Sequence, residues 1–398
     1  MRLEIVDIGH GGVGIARHDG RVVFVRGAIP GEVVEVEVVS RQSKFFHANV
    51  VDVVEASPHR VEHPWAAGAA GVTGAADFGH IELAWQRKLK TDVVAHNLRR
   101  IGGQDLAEAI KPLRVEVRGV DSTDGWGTRT RFDVVKMATG VGMYMERTNR
   151  LVPLDRMPLA LPELERLDLF GNAWDGVVAE GERMHVVSPA SGPDVVVAGQ
   201  TYAAPGRQAD PFIHERAVTG ADVFEYRISS GGFWQIHCQA PSVLLQAVLK
   251  GAAAQEGESV LELFSGAGLF TVPLARAVGE RGSVFAIEGS ERAVRDARVN
   301  LVSMPWAKAE VARIDEGTVA GLRADVVVAD PPRAGLGKKT AAQLARCGAR
   351  RIVLVSCDPA AMARDVAELV ANGRKVEAME AFDIFPHTHH MEVVTALS

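Results

Sequence analysis

Apolar and polar residues alternate in short runs over the first 57 positions, as in Leu3–Ile8, Arg21–Val25 and Glu32–Val39, with glycines between the runs. A period of two marks half-buried strands, and glycine-punctuated strands at this spacing predict a small antiparallel β-barrel over residues 1–57. The Gly-Gly-Val-Gly stretch at 11–14 joins strand to strand with no helix behind it, so it reads as hairpin punctuation and not as a phosphate loop. Residues 58–83 are loop-like and rich in Ala, Gly and His, and Ala84–Arg100 follow as a basic amphipathic helix closed by Gly102 and Gly103. Strands and turns return from 111 to 228, including Arg131–Met137 and Gly140–Glu146, with a helical pattern only at Leu161–Phe170. A β-rich central domain over 58–228 is expected, with the 84–100 helix packing on the domain that follows it.

From 229 onward the period changes. Apolar strands at Ser259–Phe264, Ser283–Glu288, Asp325–Ala329 and Ile352–Val355 alternate with helical segments such as Gly268–Val278 and Arg292–Val302. That alternation predicts an α/β domain over 229–398, a doubly wound and mostly parallel sheet. The last two strands, Val376–Phe382 and Met391–Ala396, are expected to add an antiparallel edge.

Composition narrows the class. The chain has 398 residues, 47% hydrophobic and 24% charged, with no run long enough to span a membrane and no leader-like opening, so the cytoplasm is the expected location. Three cysteines, Cys238, Cys347 and Cys357, exclude a disulfide framework and a four-cysteine metal site while leaving room for a working thiol. A net charge of −6 does not advertise nucleic-acid binding. Local basic stretches at Gln86–Lys90, Arg99-Arg100 and Arg114–Arg131 would be the contact points.

Candidate chemistry gathers at strand ends. In open α/β sheets ligands bind at the carboxyl edge, where the Ile352–Val355 strand delivers Cys357. The Glu262–Gly268 turn, with Gly266 and Gly268, follows a strand and opens a helix, and Glu288 ends the next strand, where a carboxylate can hold a ribose diol. NAD and S-adenosylmethionine both fit that arrangement. Asp330-Pro331-Pro332-Arg333 ends a further strand; the prolines stiffen the loop and aim Asp330 into the site, while Arg333 stands where an amino-methyltransferase would carry a stacking aromatic. A thiol here has a specific use, because C5 of uracil takes a methyl group only after a thiolate adds at C6. The helix after Pro359 is expected to help that thiolate form, and Glu392 is the candidate base for the C5 proton. His387, His389 and His390 match no familiar zinc spacing, so a pocket-shaping loop and no metal is expected.

Two resemblances organise these motifs. GHGGVGIARHDGRVVFVRGAIPGEVVEVEV is similar to a TRAM domain, an OB-like RNA-binding barrel. GGFWQIHCQAP, VLELFSGAGLFTVPLA, ADPPRAGLG, LVSCDPAAMARD and DIFPHTHHMEVV together resemble the RNA (uracil-5-)-methyltransferase family of tRNA and 23S rRNA enzymes. The resemblance implies a Rossmann-like class I methyltransferase domain and S-adenosylmethionine as methyl donor. It also implies RNA as partner, Cys357 as nucleophile and Glu392 as base, with Asp330 orienting the target base. Gln235, Phe264, Gly266, Gly268, Glu288 and Asp330 would surround the donor or the base, and Asp315, from its place after the third strand, would meet the adenine. C5 methylation of cytosine, or an RNA-binding homologue without turnover, are the alternatives.

The chain departs from the family pattern in four respects. Where many members hold an iron–sulfur cluster through four cysteines, this chain carries Trp65, Thr73, Ala76 and Met157, so no cluster is expected and the loop must be held by packing, with Trp65 as its centre. His237 and Leu269 stand at positions where relatives have Asn, and the overall charge is acidic. No membrane and no obligate protein partner are expected.

Overall fold

The computed structural model describes every residue except Ser122. Its amino-terminal sheet has six strands, Arg2–Glu4, Asp7–Ile8, Gly14–His18, Arg21–Arg26, Val33–Arg41 and Phe45–Glu55. Alternate residues, among them Val23, Val25, Val34 and Ala48, turn into a core of their own. Backbone bonds from Ile5 to Glu32 and from Val6 to Ile15 tie the first strand to the rest. One pairing differs from the expected antiparallel barrel: Arg21–Arg26 runs parallel to Phe45–Glu55. A period of two reports which face a side chain takes and is blind to strand direction.

The expected unit over 58–228 divides between two cores. Seven antiparallel strands from Arg131–Lys136 to Arg207–Gln208 form a separate sheet. The helices Leu83–Arg100 and Gln104–Ile110 instead pack on the carboxyl-terminal sheet, with Leu89, Val93, Val94 and Leu98 in that core. The hairpin Phe212–Thr219 with Asp222–Ser229 covers the opposite face. The helical pattern at Leu161–Phe170 shortens to a 3₁₀ turn over Pro162–Leu167, started by a proline and stopped by Asp168 at φ +46°.

The carboxyl-terminal sheet has eight strands in the order Ala307–Val311, Ser283–Glu288, Ser259–Leu263, Val326–Ala329, Arg351–Ser356, Glu392–Leu397, Val376–Asp383 and Val117–Gly119. The first five are parallel, and Glu392–Leu397 runs antiparallel to both of its neighbours. The edge itself is not one of the final strands, as expected, but the upstream Val117–Gly119, parallel to Val376–Asp383. Helices Ala240–Ala252 and Lys338–Ala345 lie in stretches from which the period alone gives no element, and the third strand of the series, which precedes Asp315, is Ala307–Val311.

In the central sheet's core the loop expected to be held by packing is closed by an indole. Trp65 is 2% exposed and lies beside Ala76, Met157 and Leu159. A Cβ built on Gly68 would stand 2.1 Å from the Trp65 ring, so only glycine lets the ring lie flat there. Thr73 spends its hydroxyl on the Ala67 carbonyl at 2.5 Å. Replacing Trp65 by Ala is expected to cost about 3–5 kcal/mol of unfolding free energy, the usual penalty for emptying an aromatic site. Urea unfolding checks this; a loss below about 1 kcal/mol would show that another contact holds the loop.

Candidate active site

Five strand ends converge on one cavity. The parallel strands end in Phe264, Glu288, Asp330 and Cys357, at the edge where open α/β sheets bind ligands. Glu392–Leu397 runs the other way, so its first residue reaches that same edge. Ser356 pairs with Val393, and Cys357 and Glu392 are the next residues along the two strands. The cavity has a volume of about 790 Å³ and is lined by Gln235, Phe264, Gly266, Glu288, Asp330, Cys357 and Glu392.

The glycine turn and Glu288 form one rigid unit. Gly266, at φ +55°, donates its amide to Glu288 Oε2 at 3.1 Å, and Ser290 donates to Oε1 at 2.8 Å. Phe264 adopts φ +61°, a left-handed conformation costly for a side chain with a Cβ, and its amide is held by the Ile287 carbonyl at 2.8 Å. Gly268 shapes the turn, with φ +98° and a bond to the Ser265 carbonyl at 3.0 Å, but does not line the cavity. Asp315 does not line it either, against expectation. Its carboxylate caps the short helix Glu316–Val319 by accepting from Gly317 and Thr318, each at 3.0 Å.

The electrostatics of the cavity are those of crowded acids. Burial and the neighbouring Glu288 push Asp330 up to about 7. Glu392, 4% exposed, is raised well above the ordinary carboxyl range by burial and by Asp330, and accepts no hydrogen bond among the described residues. The Cys357 thiol is pushed up to about 12 by burial, by Glu392 and by Asp330, with Arg333 pulling the other way. The expected help from the following helix is absent, because Asp358 takes its first amides, Ala360 at 3.0 Å and Ala361 at 2.8 Å.

Three features were not read from the motifs. Glu262, at 1% exposure, sits in the strand leading to the glycine turn with both carboxyl oxygens unpartnered, and burial lifts it to about 8. A Glu inside an otherwise apolar strand was the available signal. Arg333 Nη2 meets His390 Nε2 at 3.0 Å, beside the cavity. The amino-terminal barrel also reaches the site: His10 Nε2 lies 3.3 Å from Asp358 Oδ2, and a Cβ on Gly12 would stand 2.5 Å from that of His389. A smaller cavity of about 100 Å³ there is lined by His10, Gly12, Lys90, Arg333, Cys357 and His389.

The three loop histidines serve different partners. His387 stacks on Trp126 with centroids 3.9 Å apart and is bonded to Gln86, while His389 pairs with Asp77 at 2.5 Å. His390 faces Arg333 and is pushed down to about 2, mainly by burial. His237, at one of the Asn positions, lies outside the cavity lining; its ring meets Asp121 at 3.1 Å and accepts the Gln239 amide at 3.1 Å, bracing the entry to the Ala240–Ala252 helix. Leu269, at the other, lines the cavity and takes the Tyr226 hydroxyl on its carbonyl at 2.8 Å.

Comparison with known proteins adds matches to family models, to relatives and to a solved structure. The tRNA (Uracil-5-)-methyltransferase family matches residues 207–398, and the TRAM domain matches residues 1–51. The chain is 35% identical to a protein of Streptomyces avermitilis described as an uncharacterized RNA methyltransferase, over 99% of this chain and 97% of that one. It is 29% identical to the 23S rRNA (uracil(1939)-C(5))-methyltransferase RlmD of Hahella chejuensis, over 98% and 95%. In fold it is similar to the Pyrococcus abyssi tRNA (uracil-54, C5)-methyltransferase solved with S-adenosyl-L-homocysteine. That likeness has a TM-score of 0.72 at 24% identity and covers 100% of this chain and 99% of that one.

The elevated thiol has a direct consequence. A group held near 12 is protonated through the neutral range, so Cys357 alkylation by iodoacetamide in the ligand-free protein is expected to keep rising beyond about pH 10. Mass spectrometry of the peptide separates it from the exposed Cys238. A plateau at or below about pH 8.5, where an ordinary thiol titrates, would contradict the crowding described above.

Proposed function

The chain belongs to the RNA (uracil-5-)-methyltransferase family, and from that premise we propose that Cys357 and Glu392 carry the transfer of a methyl group from S-adenosylmethionine to C5 of a uridine in structured RNA. The observation that carries this reading is the meeting of Cys357, Glu392 and Asp330 on one cavity beside the rigid turn made by Gly266 and Glu288. The residues fit the donor: Glu288, already oriented by two amides, suits a ribose diol, and the unpartnered acids suit a cationic ligand.

When bound, the donor supplies an electrophilic methyl group. Cys357, as thiolate, adds to C6 of the uracil and forms a bond that turns C5 into an enolate carbon. Asp330 faces the base and fixes its orientation. After C5 has taken the methyl, Glu392 removes the C5 proton, the C5–C6 double bond re-forms and the Cys357 sulfur leaves as thiolate. A uridine must leave its stack to reach this depth, which calls for RNA contacts beyond the cavity. The barrel, whose loop touches the Cys357 region through His10 and Gly12, supplies them in this reading.

We further infer that no iron–sulfur cluster is held. The four positions carry Trp65, Thr73, Ala76 and Met157, whose side chains offer no thiolate set, and three of them lie in a packed apolar core. Among the described residues, no helix is long and apolar enough to cross a membrane.

Purified protein incubated with the donor and with unmodified tRNA or 23S rRNA transcripts tests the proposal by nucleoside mass spectrometry. 5-Methyluridine is expected in one of the two pools with the native protein, and a fall of at least about a thousandfold is expected with Cys357→Ala, since covalent catalysis is lost entirely. 5-Methylcytidine as the product, or unchanged 5-methyluridine from Cys357→Ala, would overturn it.

A further inference from the structure

The cavity holds more acid than base. Glu288, Asp296, Asp330 and Glu392 line it, against Arg292 and Arg333, and Glu262 lies buried beneath its glycine turn. Several of these charges are spent locally: Asp296 accepts from the Ser229 amide and hydroxyl, Glu288 from two amides, and Arg292 donates to the Gly231 carbonyl. Arg333 is turned toward His390. Glu392 and Asp330 remain, accepting no hydrogen bond among the described residues, with the half-buried Cys357 beside them. Buried acids without partners require either protons or a cation.

We propose that Glu392 and Asp330 are built to take the positive sulfonium of the methyl donor as their counter-ion, so that binding expels their protons and readies Glu392 as a base. The inference rests on the methyl-transfer reading above. Its logic is positional: the sulfonium is one bond from the methyl, the methyl must reach a carbon adjacent to the one that Cys357 attacks, and Glu392 and Asp330 are the acids that face Cys357. With the cation beside it Glu392 is ionised before the base arrives. In the transfer the sulfur–methyl bond breaks and its electron pair stays on sulfur, which becomes neutral, while the C5 enolate pair forms the new bond to the methyl. Glu392 then loses its counter-ion and regains its affinity for a proton, at the step where it must take one from C5. The base is therefore weak while the cofactor is charged and strong once the charge is spent.

The sign of the pH dependence follows. Acids held high, Asp330 at about 7 and Glu392 well above its ordinary range, are protonated below those values, and a cation beside them lowers them. Affinity for the cationic donor should rise with pH through this window and level off above it, by up to about tenfold per pH unit for each proton expelled. S-adenosylhomocysteine has the same amino acid and nucleoside groups without the sulfonium; because the sulfonium lowers the pKa of the donor's own α-ammonium, each free ligand is titrated separately and its own protonation change is subtracted before the two are compared.

Isothermal titration of the full chain without RNA, in buffers of different ionisation enthalpy from about pH 6 to about pH 8.5, counts the protons released. S-adenosylmethionine is expected to release at least about half a proton more than S-adenosylhomocysteine near pH 7, with the affinity ratio moving toward the charged ligand as pH rises. Sinefungin, which carries an amine at the sulfonium position, should behave like the donor. Glu392→Gln and Asp330→Asn should each shrink the difference, and wild-type data stand alone if either variant fails to fold. Equal proton release by both ligands and a pH-independent ratio would overturn the proposal and leave the methyl-transfer reading intact. Failure to bind either ligand would instead overturn that reading together with the proposal.

Discussion

Acids that cannot all be charged at once share the cavity at the carboxyl edge of the main sheet. Parallel strands bring Glu288, Asp330 and Cys357 to that edge, and the one strand that runs against them brings Glu392. Burial makes each negative charge costly, and proximity makes each more costly for the others. Asp330, Glu392 and the Cys357 thiol are all held above their ordinary values as a result. In the free protein the surroundings thus favour the protonated forms of both the nucleophile and the base.

That constraint explains how the surroundings are used. A helix N-terminus beside a cysteine usually favours the thiolate, yet Asp358 occupies the amides of the helix that follows Cys357. Activation therefore falls to positive charge at the site itself, from Arg333 and from a cationic ligand. The barrel loop is close enough to take part, since His10 meets Asp358 and Gly12 packs against His389. The barrel and the Cys357 edge of the main sheet thus meet directly through these contacts. In the central sheet, Trp65 and Met157 fill an apolar core together with Ala76 and Leu159.

Much of this was legible in the sequence, for a physical reason. Buried parallel strands are continuous apolar runs, and a residue that follows such a run must emerge at the ligand-binding edge. Cys357, Asp330 and Glu288 are legible that way, the glycine turn adds Gly266 and the family resemblance adds Phe264, and all five line the cavity. Asp315 stands outside that lining: a loop of three residues separates it from its strand, and a local helix cap uses its carboxylate. The parallel pair in the barrel, the edge strand at Val117–Gly119 and the approach of His10 all depend on long-range pairing, which no local period encodes. Asp358 shows a subtler limit: an Asp-Pro at a helix start announces a cap, and the cap is what removes the helix from the thiol's service.

The covalent bond between Cys357 and the target base is the central claim, and a trapped adduct tests it most directly. RNA carrying 5-fluorouridine at the target offers C5 a fluorine that Glu392 cannot remove as a proton, so elimination stops after methyl transfer. Incubation with S-adenosylmethionine should yield a protein–RNA species stable to denaturation, and peptide mass spectrometry should locate a methylated fluorouridine on Cys357. Methylated product without any adduct, or an adduct on Cys238 or Cys347, would contradict the assignment of Cys357 as nucleophile.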